Sequence, residues 1–165
     1  MHKEDVFASE RLTFRGLCEE DTEYLVKWRS DLDTIQYFRD PTPVTREKHL
    51  QWLRGSYRQN EARYDFVIFE KMDGNPIGTV GVNGVEQGND TCEISYMIAE
   101  PSYQRRGYGA EAITAMMRYM MTQGICHFVA EIHVENQASI ATVKKLGYTL
   151  LKEGLPFALY HKRED

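Results

Sequence analysis

The chain reads Gln104-Arg105-Arg106-Gly107-Tyr108-Gly109-Ala110 between an alternating apolar run, Cys92 to Ile98, and a methionine-rich helical pattern that continues to Gln123. That order is a strand, a glycine-bearing turn and a helix. Two glycines flanking one residue let successive backbone N–H groups turn toward one point at a helix N-terminus, where unpaired donors and the macrodipole favour an anion. The segment therefore reads as a pyrophosphate cradle. It lacks the closing Lys-Ser/Thr of the loop that wraps nucleotide triphosphates, and it lacks the three glycines of the dinucleotide fingerprint on a first βαβ strand.

Upstream of the turn, Tyr64 to Glu70 is a nearly continuous apolar and aromatic strand, and Asp73-Gly74-Asn75 has the turn chemistry for a hairpin into Pro76 to Val85. Gly88-Asn89-Asp90 turns the chain again into Thr91 to Ala99. Three strands joined by tight turns form an antiparallel meander, unlike the opening of a doubly wound sheet. The meander also argues against a nucleotide-binding regulator. Downstream, Ile113, Met116, Met117, Met120 and Met121 give a helix with a wide apolar face, stopped by Gly124. The methionines at this spacing are core rather than a cofactor box. A strand follows, Ile125 to Val134, then a shorter helix capped by Asn136 that carries Ile140, Val143 and Leu146 and ends at Gly147. Two strands, Tyr148 to Leu151 and Phe157 to Lys162, complete the pattern.

The N-terminal third is less regular. Arg11 to Leu17 reads as a strand, and Tyr24, Leu25 and Trp28 share one helical face. Leu32 to Pro43 has no clear period. Thr45 is a good N-cap for a second helix with Leu50, Leu53 and Tyr57 on one side and Trp52 beside them, so these two helices are expected to wall a cleft. The fold class is α+β, with a mixed, mostly antiparallel central sheet and about four helices.

At 165 residues the chain is expected to be one domain, 1–165, burying about two thirds of its unfolded surface. Cys18, Cys92 and Cys126 lack metal-like or redox-like spacing, which favours buried thiols in a reducing compartment and no metal site. Met1 to Glu10 is charged throughout, and no apolar run approaches membrane-spanning length, so the expected location is cytoplasmic, without a membrane partner. Formal net charge is −5 and the basic residues are scattered, so no nucleic-acid partner is expected. An acidic surface tolerates a cationic amine.

Two motifs in this order resemble the GNAT superfamily of acyl-CoA N-acyltransferases. Gln104-Arg105-Arg106-Gly107-Tyr108-Gly109 matches its Q/R-x-x-G-x-G/A motif for acetyl-CoA. Asn136-Gln137-Ala138-Ser139-Ile140 through Lys145-Leu146-Gly147-Tyr148 matches its later Asn-x-x-Ser helix ending in Gly-Phe or Gly-Tyr. The opening, with Arg11-Leu12, Arg15, Leu17, Glu20-Asp21 and Trp28-Arg29, is similar to the RimJ/RimL-type branch. The resemblance runs from about Arg11 to about Lys162.

It implies a three-layer fold in which the Cys92 to Ala99 strand splays from the Ile125 to Val134 strand. Acetyl-CoA lies in that gap, with pantetheine along the edge near Met97 and Ile98. Backbone N–H groups from Arg105 to Ala110, including those of Gly107, Tyr108 and Gly109, hold the pyrophosphate. Arg105 and Arg106 add ionic contacts, Asn136 contacts pantetheine, and Lys144 or Lys145 approaches the adenosine end. The acceptor is a primary amine, either a protein N-terminus or a small amine such as an amino sugar or polyamine. Dimers are common among similar proteins, so a homodimer is among the expected assemblies.

Acetyl transfer to an amine needs a base for the ammonium, donors for the oxyanion and a partner for the departing thiolate. A backbone N–H near Met97 or Ile98 is the expected oxyanion donor. Glu93, on the strand face of Ser95 and Met97 and matching a Glu common in the RimL-type branch, is the candidate base. Partly apolar surroundings would raise its pKa and a water could relay the proton. The family's usual acid is a Tyr seven residues after the capping Asn, and here that position is Val143. Ser139 matches the Ser near the CoA sulfur in the RimL-type branch and is the candidate thiolate partner.

Each assignment has a plainer rival. Glu93 could pair with an Arg or Lys, Ser139 could extend the helix cap, and His133 reads as a satisfied histidine sharing a face with Val129 and Glu131. Tyr37, Phe38, Trp52 and Tyr57 line an acceptor pocket or simply pack. Val143 in place of Tyr keeps open a second function, an acyl-CoA-binding sensor that does not turn its ligand over.

Overall fold

Hairpin turns build the middle of the molecule. The computed structural model describes residues 1–165 and has eight strands: β1 (Val6–Ala8), β2 (Leu12–Gly16), β3 (Tyr64–Glu70), β4 (Pro76–Asn83), β5 (Thr91–Ile98), β6 (His127–His133), β7 (Thr149–Lys152) and β8 (Phe157–Arg163). They form one sheet in the order β1-β2-β3-β4-β5-β6-β8-β7. The β3-β4-β5 meander is antiparallel as its turn residues require. Only β5 and β6 run parallel, because the chain crosses over between them through a helix.

Helices cover both faces. The five are α1 (Thr22–Trp28), α2 (Leu32–Ile35), α3 (Arg46–Trp52), α4 (Tyr108–Met121) and α5 (Gln137–Lys145). α4 lays Ala112, Ile113, Met116 and Met120 on one sheet face against Leu12, Phe14, Phe66, Ile68 and Ile94, all buried in a single core cluster. Each of the larger side chains, Ala112 excepted, contributes roughly 1.5–3 kcal/mol relative to exposure. On the opposite face α1 brings Leu25 and Trp28 onto Ala99. In β3, Phe66, Val67 and Ile68 are all buried, as a strand covered on both sides must be. The expected class therefore holds, with the splayed strand pair at its centre.

Three departures have local causes. The strand β1 was not expected, because its three residues sit in a charged segment. It is held antiparallel on β2, where Phe7 stacks between Phe14 and Tyr119 at ring distances of 4.6 and 4.5 Å. A fifth helix, the single turn α2, forms inside the patternless Leu32 to Pro43 stretch and buries Ile35. Thr45 caps α3 as its side chain suggests, accepting from the Lys48 N–H, but the helix continues as one π turn, Leu53–Tyr57.

Candidate active site

β5 and β6 pair only through Thr91, Cys92 and Glu93, opposite His127, Phe128 and Val129. Beyond Glu93, β5 stays with β4 as far as Ile98, and β6 stays with β8 as far as His133. Loyalty to different neighbours opens the wedge. The exit of β5 is pinned by α1: the Trp28 indole N–H and the Lys27 ammonium donate to the Glu100 carboxylate at 2.6 and 2.9 Å. The Trp28 and Lys27 bonds hold the Glu100 carboxyl below its ordinary range. Met97 packs against the Leu25–Trp28–Ala99 cluster, so its backbone, not its side chain, borders the gap edge.

At the mouth of the wedge lies the glycine turn. Gly107 caps α4 in the left-handed region at φ 80°, and Arg105 also has positive φ, 59°, which is uncommon for a residue with a side chain. Alternating handedness of this kind aims N–H groups at one point. The first N–H groups of α4, beginning with those of Tyr108, Gly109 and Ala110, have no acceptor within the helix. The side chains have other tasks. Gln104 donates its amide to the Ile98 carbonyl at 2.9 Å, tying the turn to the end of β5. Tyr108 is buried, with the Arg11 guanidinium 4.2 Å above its ring. Arg105 and Arg106 are exposed at the turn.

A support for this turn comes from a residue to which no role was assigned. Arg11 donates to the Arg106 carbonyl at 3.0 Å and to Glu111, in the first turn of α4, at 2.7 Å. Glu111 also accepts from Ser9 at 2.6 Å and from the Arg11 backbone at 2.8 Å. Burial alone would raise the Glu111 pKa, but these donors outweigh it and hold the carboxyl below its usual range. No periodicity marks the contact, since Arg11 and Glu111 lie far apart in the chain.

Across the gap, Asn136 caps α5 by accepting the Ser139 N–H at 3.2 Å. The Ser139 hydroxyl stays out of that cap and faces the Tyr96 hydroxyl at 3.3 Å. The Tyr96 ring lies against Gly109, where a Cβ would sit only 2.6 Å from its Cε2 atom. Gly109 is thus required by an aromatic ring as well as by any phosphate. Val143 is 1% exposed and belongs to the core. Lys144 and Lys145 are exposed in the last turn of α5, at the opposite end from Asn136.

On the other sheet face, Glu93 is not in apolar surroundings, which corrects the expectation for it. The Arg39 guanidinium reaches Glu93 at 2.5 Å and also pairs with Glu131 on β6. Burial would lower the Arg39 pKa, but its bonds to Glu131 and Glu93 outweigh that and raise it. Tyr37 packs tilted against His133, ring centres 5.4 Å apart, and His133 in turn meets Phe157 edge-on at 5.2 Å. His133 Nδ1 accepts the Glu135 N–H at 3.2 Å, so that lone pair is already engaged. Of the four aromatic candidates only Tyr37 reaches this cluster. Phe38 lies under Arg29, while Trp52 and Tyr57 pack on each other at 4.8 Å. Glu131 and Arg39 had no assigned role, and Arg39 stands in the least patterned stretch of the chain.

The arrangement supplies an anion cradle, a cleft between strand edges, two hydroxyls inside it and carboxylates on the far face. Cys92, the thiol nearest the gap, points into the core, and burial pushes its pKa up to about 12, so it offers no nucleophile. No group of three or more His, Cys, Asp or Glu side chains is placed to hold a metal ion, and no helix is long and apolar enough to cross a membrane.

Comparison with known proteins fits this geometry. Residues 11–149 match the acetyltransferase (GNAT) domain. The uncharacterized N-acetyltransferase p20 of Bacillus licheniformis is 28% identical over 152 residues, covering 89% of this chain and 83% of that one. The human alpha/beta-tubulin-N-acetyltransferase 9 is 44% identical over 128 residues, covering 70% of this chain and 61% of the relative's length. Among solved structures, RimL, the ribosomal L7/L12 alpha-N-protein acetyltransferase in complex with coenzyme A, superposes with a TM-score of 0.82 at 21% identity, covering 98% of this chain and 99% of that one.

Proposed function

The chain belongs to the GNAT acetyltransferase family, and from that premise we propose that it is of the RimJ/RimL type and that its acceptor is the α-amine of a polypeptide. Membership makes the protein an acyl-CoA acetyltransferase with acetyl-CoA as donor. The non-catalytic sensor is thereby set aside.

The observation that carries the acceptor is the open sheet face beyond the wedge. Val129, Glu131 and His133 on β6 stand opposite His161, Leu159 and Phe157 on β8, and every one is partly or fully exposed. Beside them β7 is exposed along its whole length. Small-molecule sites enclose most of their ligand. An open sheet face beside Glu93 suits an extended chain end better than a free polyamine or amino sugar. The human relative is named for a protein acceptor, and RimL for a protein α-amine. At 21% identity the likeness to RimL speaks to fold alone.

In this reading acetyl-CoA enters from the α4–α5 side. N–H groups from Arg105 to Ala110 hold its pyrophosphate, and Asn136 and the β5 edge near Met97 and Ile98 hold pantetheine. The amine arrives from the opposite face. Glu93, once a water bridges or displaces Arg39, accepts the proton that frees the nitrogen lone pair. The amine attacks the thioester carbon, a β5 N–H takes the oxyanion, and the C–S bond breaks as the intermediate collapses. Ser139 hydrogen-bonds the thiolate. Direct transfer requires no acyl-enzyme.

The test is acetyl-CoA-dependent thiol release with unblocked peptides, N-terminally blocked peptides, spermidine and glucosamine. Release with unblocked peptides only is expected. Release with the small amines alone would overturn the acceptor.

A further inference from the structure

We propose that Tyr96 supplies the hydroxyl that the family pattern otherwise places at Val143, and that it acts as the hydrogen-bond donor and proton source for the departing thiolate. The proposal rests on the acetyl-transfer reading and adds a residue to it. Something must meet the sulfur, and Val143 cannot: it is aliphatic and 1% exposed within the core. Tyr96 is on the α4 side of β5, beyond the last residue paired with β6, so it lies on the splayed part of the strand. Its hydroxyl and the Ser139 hydroxyl are 3.3 Å apart.

That separation is longer than a tight hydroxyl pair. Neither oxygen has another side-chain partner, whereas most buried or half-buried tyrosines here are engaged: Tyr57 with Asp65, Tyr119 with Asp5, Tyr24 with Asp21. Two hydroxyls sharing one bond leave one O–H free for a third atom. The ring is positioned by the absence of a side chain at Gly109, which lets it lie against the start of α4. Thus one glycine of the donor motif sets both the phosphate turn and the phenol that faces Ser139.

The step balances simply. As the tetrahedral intermediate collapses, the C–S electron pair moves to sulfur, Tyr96 Oη donates to it, and the proton follows to give free CoA thiol. The tyrosinate regains a proton from solvent, relayed through the Ser139 hydroxyl that is reprotonated as it donates, and the amide nitrogen loses its remaining extra proton to solvent. Stabilisation during bond breaking comes mainly from the hydrogen bond to the developing thiolate, with proton transfer completing afterwards.

Tyr96→Phe keeps the ring and removes the oxygen. The expected result is a fall in kcat of about 100-fold, acetyl-CoA KM within about twofold of wild type, unchanged Tm, and loss of the alkaline limb of the kcat–pH profile. Adding Ser139→Ala should cost little more, since both hydroxyls serve one sulfur. Unchanged kcat, or a raised KM with lowered Tm and an intact pH profile, would overturn the role of Tyr96 while leaving the transferase reading standing. Absence of thiol release by wild type with every peptide and amine would instead overturn the reading beneath it.

Discussion

The donor side and the acceptor side of the wedge are built differently. On the α4–α5 side, position is set by backbone: a left-handed Gly107, an N-capped α5, and a ring fitted over Gly109. On the far side, position is set by charged side chains from separate loops and strands, with Arg39 held between Glu93 and Glu131. In the proposed reading a backbone cradle serves one invariant ligand, CoA. A surface of side chains can be changed residue by residue to suit a different amine, and this difference predicts which mutations should spare which substrate.

The largest effect is expected at the boundary between the two sides. Glu93→Gln should lower kcat by about 100- to 1000-fold, roughly 3–4 kcal/mol of barrier, with acetyl-CoA KM nearly unchanged. Steady-state kinetics with varied donor check this, and an unaltered pH–rate profile would remove Glu93 as base. Next comes the anchor of the acceptor-side helices. Asp21 is 1% exposed and takes bonds from Arg15 and the Cys18 N–H. Burial would raise its pKa, but those bonds and one from Tyr24 win and lower it. Asp21→Ala should cost about 2–3 kcal/mol in urea unfolding at neutral pH, the worth of hydrogen bonds to a buried charge. Because the folded-state pKa lies below the unfolded value near 3.9, this stability is present above about pH 4 and is lost as pH falls through the folded pKa. The gap between wild type and mutant should therefore close in acid.

Smaller effects sharpen the contrast. Gly109→Ala places a methyl against Tyr96 and should reduce kcat/KM for acetyl-CoA by about tenfold, near 1.4 kcal/mol, with peptide KM unmoved. Arg39→Ala should do the reverse. Its side chain is 55% exposed, so unfolding stability should change by less than about 1 kcal/mol, while peptide KM shifts severalfold and acetyl-CoA KM does not. If both variants altered both substrates alike, the two sides would not be separable.

The same contrast explains what could be read from the chain alone. Donor-side elements depend on residues close in sequence: the 104–110 turn, the Asn136 cap and the α4 apolar face carry their geometry locally, and their element boundaries fall within a residue or two of the pattern. Arg11 on Glu111 and Arg39 on Glu131 bridge distant segments, which no period records. Glu93 was visible as a strand carboxylate, but its neighbour Arg39 was not, so its surroundings were misjudged. Tyr96 looked like one more apolar strand position. Only the wedge, which takes the end of β5 away from β6, turns its hydroxyl into a site group.

Acetyl transfer to a polypeptide α-amine is tested most directly by locating the acetyl group on a peptide that carries both a free N-terminus and an internal lysine, by fragment-ion mass spectrometry after incubation with acetyl-CoA. Acetyl on the α-nitrogen alone is expected. Acetyl on the lysine, or an unmodified peptide beside acetylated spermidine, would contradict it.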